Sequence, residues 1–236
     1  MDKKNAIIII LAIAIIGLSV SAYLLYVSSA EDVTEGEKKV LLLAVDPGEN
    51  RPGLGAVDMA FVITLNNGTI TQVAPVYPHN MAHPTAVPPA SLKAQGVSRW
   101  LLHDALWEED NEKGARLAQE IVEANTGQKT DIVVMMTPTA VDAMIQAIGP
   151  VYVPGQGYVS GNSLQVLRDE QSAGASRGPA IESLMRAMSN ATQDRSKYLA
   201  MTQAAITQYN QGNIVVVPQG AFLQFLISAG IEKATS

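Results

Sequence analysis

The feature that most constrains this chain is a long uncharged run near its start. Ala6 to Val27 is 22 consecutive residues rich in Ile, Leu and Ala, and at about 1.5 Å per residue a helix of that length crosses a hydrocarbon core of roughly 30 Å. Lys3 and Lys4 precede the run, whereas Glu31, Asp32, Glu35 and Glu37 follow it. The positive flank stays cytoplasmic. The sequence therefore predicts a single-pass protein of the cell membrane, with residues 1–5 in the cytoplasm, a transmembrane helix over 6–27, a stalk over 28–39 and an extracytoplasmic domain over 40–236. Ser28 and Ala30 also fit the small-residue pattern of a signal-peptide cleavage site. The apolar core of such a peptide is usually about 7 to 15 residues, shorter than this run. Both readings export the domain.

An exported domain of this size has to hold itself together without disulfides, because the chain has no cysteine, and thiolate metal sites are excluded with them. The formal net charge of −6 opposes binding to phosphate backbones, so nucleic acid is excluded as a partner class. Asn67-Gly68-Thr69 and Asn190-Ala191-Thr192 match the glycosylation sequon, which is reachable only in an exported domain.

Val40 to Val45 and Val57 to Leu65 are apolar and β-branched enough for buried strands. Asn66-Asn67-Gly68 supplies the positive φ angles of a tight hairpin into a third strand over Thr69 to Val76. Tyr77 to Ala90 holds four prolines and two of the three histidines, and reads as an ordered surface loop. Helices are expected over Ser98–Trp107 and Lys113–Ala124, the second closed by Gly127. A strand over Asp131–Met136 leads through Thr137-Pro138 into a helix ending near Ile148. Val151–Val153 and Tyr158–Val159 flank Pro154-Gly155-Gln156-Gly157 as a small hairpin. Ser163–Glu170, Pro179–Ala191 and Asp194–Gln208 carry the helical pattern, Ile214–Val217 is a last buried strand, and a terminal helix is expected over Gln219–Ser228. The fold class is α/β, a mixed central sheet with helices on both faces.

Three places can carry chemistry. The loop from Asp46 to Asp58 joins two apolar strands. Its carboxylates suit a hard cation such as Mg²⁺, its glycines let backbone amides approach a ligand, and Arg51 suits a phosphate. The same residues also suit a simple turn, with Asp46 capping backbone amides and Arg51 paired to Glu49 or Asp58. Second, Arg168 and Arg177 flank a small-residue loop, a pattern for gripping a diphosphate or for a surface ion-pair cluster. Third, His79 and His83 are four apart, but Pro78 and Pro84 keep them from sharing a helix face as zinc ligands do. His103-Asp104 reads either as a proton carrier or as a hydrogen-bonded pair in a packed helix whose Trp100 and Trp107 share a face. No nucleophile elbow, Walker loop, GxGxxG or HExxH is present.

VLLLAVD, the glycine-rich loop and VDMAFVITL together resemble the start of the LytR-CpsA-Psr domain. ARLAQEIVEANTGQKTDIVVMMTPTAVDAMIQAIGPVYV, and LQVLRDEQ with SRG, resemble its middle and its late arginine motif. The resemblance runs roughly from Val40 to Met188. PVYPHNMAHPT, LHDALW and GNSLQVLRDEQ are similar to stretches that recur in uncharacterised archaeal membrane proteins. The resemblance implies transfer of glycan polymers to cell-envelope acceptors from a polyprenyl pyrophosphate carrier. It implies Mg²⁺ at Asp46 and Asp58, and Arg168 and Arg177 on pyrophosphate oxygens, with Asp58 and Arg177 catalytic and Arg51 a further substrate-binding candidate.

The chain departs from the family pattern where an arginine is replaced by Ala56 and an Arg-Asp pair by His79-Asn80. Each arginine lost from phosphoryl transfer is worth on the order of 10³-fold in rate. Two functions therefore stand at this stage. One is a membrane-anchored phosphotransferase acting on a polyprenyl-linked glycan, and the other is a non-catalytic envelope scaffold of the same fold that binds a lipid, a glycan or a protein.

Overall fold

The computed structural model describes residues 35–49, 51–163, 177–222 and 224. The expected membrane helix over 6–27, most of the helix expected over Ser163–Glu170, Arg168, and half of the terminal helix expected over Gln219–Ser228 lie outside the described residues. No helix among the described residues is long and apolar enough to cross a membrane.

Five strands form one mixed sheet in the order β3-β2-β1-β4-β7. β1 (Glu37–Asp46) runs antiparallel to β2 (Ala56–Asn66), which pairs antiparallel with β3 (Thr69–Val76). Asn67 and Gly68 turn that hairpin with φ of 47° and 75°, as the asparagine-glycine signal requires. β4 (Ile132–Met136) lies parallel to β1, and β7 (Ile214–Val217) closes the far edge antiparallel to β4. A separate two-stranded ribbon joins β5 (Val151–Val153) and β6 (Gly157–Val159).

Alternation along the strands places a core on each face of the sheet. Leu41, Leu43, Val133 and Met135 point to one side, against Trp100, Leu102, Leu106, Trp107 and the apolar stripe Ala115, Ala118, Ile121 and Val122 of α2 (Asn111–Thr126). A short helix, α1 (Ala90–Lys93), adds Leu92 to this core. Ile132, Ile214 and Val216 face the other way, toward α3 (Pro138–Ile148), α4 (Arg177–Ala191) and α5 (Arg195–Asn210). The sheet is thus covered on both faces, as its β-branched, two-sided strands require. Helix boundaries follow local chemistry. Asp110 caps α2 by accepting from the Lys113 N–H, and Gly127 ends it at φ 71°. Pro138 starts α3 behind Thr137, whose hydroxyl donates to Asn213 rather than capping the helix. A last helix begins at residue 219.

One expected helix is absent. Ser98–Trp107 contains a single 3₁₀ turn, Leu102–Asp104, and Leu101 instead bridges Ala82 in extended conformation. The His83 N–H donates to the Trp100 carbonyl and the Leu102 N–H to the Met81 carbonyl. Pairing with the proline-rich loop therefore uses the backbone groups that a helix needs for itself. The two tryptophans are still buried in the same core, each with its indole N–H satisfied, by the Asp104 carbonyl and by the Ser91 hydroxyl.

Candidate functional site

β1 ends at Asp46 and the chain returns into β2 at Ala56, so loop 47–55 lies over the carboxyl end of β1, where it neighbours the parallel strand β4. Crevices beyond the carboxyl ends of parallel strands are where open α/β sheets bind ligands. Two glycines make the loop possible. A Cβ on Gly53 would stand 2.2 Å from the Leu106 carbonyl oxygen, and one on Gly55, at φ 138°, 2.4 Å from that of Asp46. The Gly53 N–H donates to the Trp107 carbonyl. The glycine predicted to admit a ligand's approach instead admits the chain's own backbone, and it ties the loop to the turn that carries His103 and Asp104.

A β-bulge sets the direction of Asp58. Ala44 pairs with Met59 but Val45 pairs with Val57, which leaves Asp58 as the extra residue of β2. Bulges re-aim side chains and are over-represented beside active sites. Here the bulge puts Val57 into the same core as Ala60 and Val62, and brings Asp58 beside the 3₁₀ turn. One ligand atom each from Asp58, Glu49 and His103 lies within 4.8 Å of the other two. The His103 Nδ1 is 3.1 Å from the Val57 carbonyl oxygen. A carbonyl only accepts, so Nδ1 carries the proton, and Nε2 faces Glu49 at 3.5 Å.

Arg51 is held among these groups. Its guanidinium donates to Glu49 at 2.9 Å, to the His103 carbonyl at 3.2 Å and to the Asp104 carboxylate, and it lies 5.6 Å from the centre of the Trp107 ring. The arginine expected to meet a phosphate therefore meets two carboxylates, and it forms the Glu49 pair that the simple-turn reading named. The Arg51 hydrogen bond is the main reason that the Glu49 carboxyl titrates below its usual range, opposed by its partial desolvation and helped by His103 nearby. A cleft of about 530 Å³ opens over this set, lined by Glu49, Arg51, His103 and Asp104 together with Leu92, Val97 and Leu101.

Asp46, expected beside Asp58 as a metal ligand, is outside the three-residue group. One of its oxygens accepts the Gly48 N–H at 2.7 Å, the turn geometry given above as the alternative. Mg²⁺ was expected on an all-carboxylate pair. The donors gathered at Asp58 are instead a second carboxylate and an imidazole. In sequence Glu49 reads as a partner for Arg51, and His103, beside Asp104, as a proton carrier or a hydrogen-bonded residue of a packed helix. Their proximity depends on the bulge and on the 3₁₀ turn, neither of which leaves a sequence motif. Arg177 begins α4, and Arg168 lies outside the described residues.

A family model described as "Protein of unknown function (DUF4012)" matches residues 35–171, more than half of the chain, including loop 47–55, the bulge and His103. The chain belongs to the DUF4012 family. No curated protein matches it in sequence. Among solved structures, this DUF4012 chain is similar to TagV of Bacillus subtilis, with 15% identity, a TM-score of 0.52, and 83% of this chain and 80% of that one covered. It is similar to protein gbs0355 of Streptococcus agalactiae to the same degree, 15% and 0.52, over 82% and 73% of the two chains. At such identity the likeness is one of fold, and the fold is that of LytR-CpsA-Psr domains.

The remaining histidines of the DUF4012 chain separate cleanly. His83 accepts the N–H groups of Thr85 and Ala86 on Nδ1, at 3.1 and 2.7 Å, and places Nε2 2.9 Å from Glu120. Nδ1 holds the turn of the proline-rich loop itself, and Nε2 ties that loop to α2. His79 is exposed on that loop.

Proposed function

We propose that this DUF4012 chain is a membrane-anchored domain of the cell envelope, N-terminus in the cytoplasm and domain outside, that assembles or attaches a surface polymer. The closer kinship to archaeal membrane proteins read from the sequence belongs to the same proposal. The reaction is transfer of a glycan phosphate from a polyprenyl pyrophosphate carrier to an acceptor hydroxyl. The acceptor oxygen bonds to the glycan-bearing phosphorus, the bond from that phosphorus to the bridging oxygen breaks, polyprenyl phosphate leaves and the hydroxyl proton is released.

The observation that carries this reading is the position of Asp58. On a LytR-CpsA-Psr fold, a bulge sets one of the acidic residues marked by the resemblance among Glu49 and His103, beside the cleft. A divalent cation bound there supplies positive charge against pyrophosphate oxygens; Mg²⁺ is the ion the resemblance implies. Arg168 and Arg177, the arginines marked by the resemblance, take phosphate oxygens, and Asp58 orients the reacting group. A membrane helix over 6–27 keeps the domain beside its lipid-linked substrate.

One observation favours a second reading, a binding scaffold without catalysis. Among the described residues the arginine lining the cleft is Arg51, and it is neutralised by Glu49 and Asp104. Of the arginines named as substrate-binding candidates, Arg168 and Arg177 then remain to meet a pyrophosphate.

Purification of the full chain in detergent, followed by mass spectrometry for bound polyprenyl phosphates with and without divalent cation, decides between them. The transferase reading expects a bound carrier that is lost in Arg168→Ala and Arg177→Ala. Absence of any carrier from a folded chain under all conditions leaves the scaffold.

A further inference from the structure

We propose that the end of the sheet where β1 begins is a membrane-docking surface, and that Tyr152 and Tyr158 of the β5–β6 ribbon seat it in the lipid–water interface. The inference rests on the membrane anchor proposed above and says how the anchored domain is held on the bilayer.

The topology gathers several elements at this end. Glu37 opens β1 opposite Asn66, next to the β2–β3 turn, and Ile132 opens β4 beside Val40. α3 leaves the other end of β4 and runs back. Ile148 therefore joins Val40, Ile132 and the ribbon valines Val151, Val153 and Val159 in one core. α5 packs along α3 and finishes at Asn210, shortly before Ile214 pairs with Met136 at the far end of β4. Its beginning thus lies at the near end.

Exposed apolar side chains concentrate there. Among the described residues six large hydrophobic side chains are exposed, and two of them, Tyr77 and Val87, belong to the proline-rich loop. The other four, Ile70, Tyr152, Tyr158 and Leu199, stand at the near end, Ile70 at the start of β3 and Leu199 early in α5. The ribbon presents its aromatic pair by alternation. Val151, Val153 and Val159 are buried, while Tyr152 and Tyr158 turn outward, 60% and 77% exposed. The two are direct cross-strand partners with ring centres 5.5 Å apart. Rings that end in a hydroxyl suit a boundary that is apolar on one side and wet on the other. Charge at this end is mixed, with Lys38 next to Glu37 and Lys197 close to Asp194. The seat is therefore aromatic rather than electrostatic.

The chain outside the described residues identifies the occupant. The proposed membrane helix ends at Val27, and the eight residue steps from there to Glu35 span at most about 29 Å fully extended. Glu35 leads straight into β1, so the near end is the part of the domain that the bilayer meets first. The ten residues of β1 hold the cleft at its carboxyl end about 30 Å further out. The cleft then opens on the side away from the membrane.

The test uses the full chain in phosphatidylcholine nanodiscs. The chain has no cysteine, so a nitroxide can be placed singly through Ile70→Cys, Leu199→Cys or Gln211→Cys, the last exposed in the turn between α5 and β7 at the far end. Accessibility to oxygen, which partitions into lipid, is compared with accessibility to a water-soluble nickel chelate. The oxygen-to-nickel ratio is expected to be several-fold higher at 70 and 199 than at 211, and unchanged in high salt. With Tyr152→Ser and Tyr158→Ser added, the ratio at 199 should fall to that at 211. Both tyrosines are exposed, so melting curves of this variant should match the parent.

Equal ratios at all three positions in the folded chain would overturn the proposal, as would a ratio at 199 that the serine substitutions leave unchanged. Dipolar broadening between Leu199→Cys labels of two chains in one disc would overturn it by giving the surface to a second copy. Extraction of the parent with alkaline carbonate is scored separately. A resistant chain with aqueous labels keeps the anchor and loses the docking surface, whereas a chain that carbonate releases overturns the anchor and the proposal with it.

Discussion

Arg51 and Asp104, 53 residues apart in the sequence, form an ion pair whose side chains are only 7% and 6% exposed. The pair joins the loop after β1 to the 3₁₀ turn, and the Trp107 ring lies within cation–π reach of the guanidinium. Removing the cation leaves a buried carboxylate without its counter-charge, whereas removing the carboxylate leaves Arg51 still held by Glu49. Arg51→Ala is therefore expected to destabilise the domain by about 3 to 5 kcal/mol, and Asp104→Asn by clearly less. The apolar double variant Arg51→Met with Asp104→Leu should recover much of the loss. Urea unfolding of the four proteins checks the order. Equal costs for the two single variants would show that the pair is not the main partner of either residue.

The second prediction concerns acid. The folded state lowers the Glu49 carboxyl below its ordinary value of 4.5, chiefly through the Arg51 hydrogen bond. A depressed carboxylate favours the folded state when ionised. Its contribution is complete above about 4.5 and is lost as pH falls through the lower folded-state value. The stability difference between the parent and Glu49→Gln should hold from neutral pH down to that point and then shrink. Unfolding curves at pH 7, 4.5 and 3 measure it. A difference that widens in acid would contradict the assigned sign.

Gly53 gives a steric prediction. A methyl group there meets the carbonyl oxygens of Leu106 and Glu108 at 2.2 and 2.4 Å, both backbone atoms that cannot rotate away. Gly53→Ala should cost about 1 to 3 kcal/mol and push the 3₁₀ turn off the loop. The imidazole resonances of His103 should shift in nuclear magnetic resonance spectra while those of His83 stay in place.

The two histidines of the proline-rich loop should behave oppositely. His83 satisfies two backbone N–H groups and reaches Glu120, so His83→Ala leaves the part-buried Ala86 N–H and the exposed Thr85 N–H without it and is expected to cost about 1 to 3 kcal/mol. His79 is exposed, and His79→Ala should stay within about 0.5 kcal/mol of the parent. Thermal melts of the pair are enough to check this. Similar losses for both would mean that the loop is held by contacts other than these.

The sequence by itself determined the elements whose signals are local. Asn67-Gly68 specified the β2–β3 hairpin, Asp110 and Gly127 bounded α2, Thr137-Pro138 opened α3, and the two-sided β-branched strands announced a sheet covered on both faces. These succeed because capping, turn φ angles and side-chain alternation act over a few residues. It also marked the loop from Asp46 to Asp58 as a candidate site. Tertiary structure decided what that loop contains. Ser98–Trp107 carries a helical composition, yet its backbone pairs with residues 81–83, a contact that no local pattern encodes. The one-residue bulge that turns Asp58 arises from how β2 registers against β1, and registry is a property of the assembled sheet. Arg51 pairs with Asp104 because burial makes a nearby countercharge obligatory. Sequence thus determined which residue types stand at the end of the sheet, and only packing decided which of them face one another.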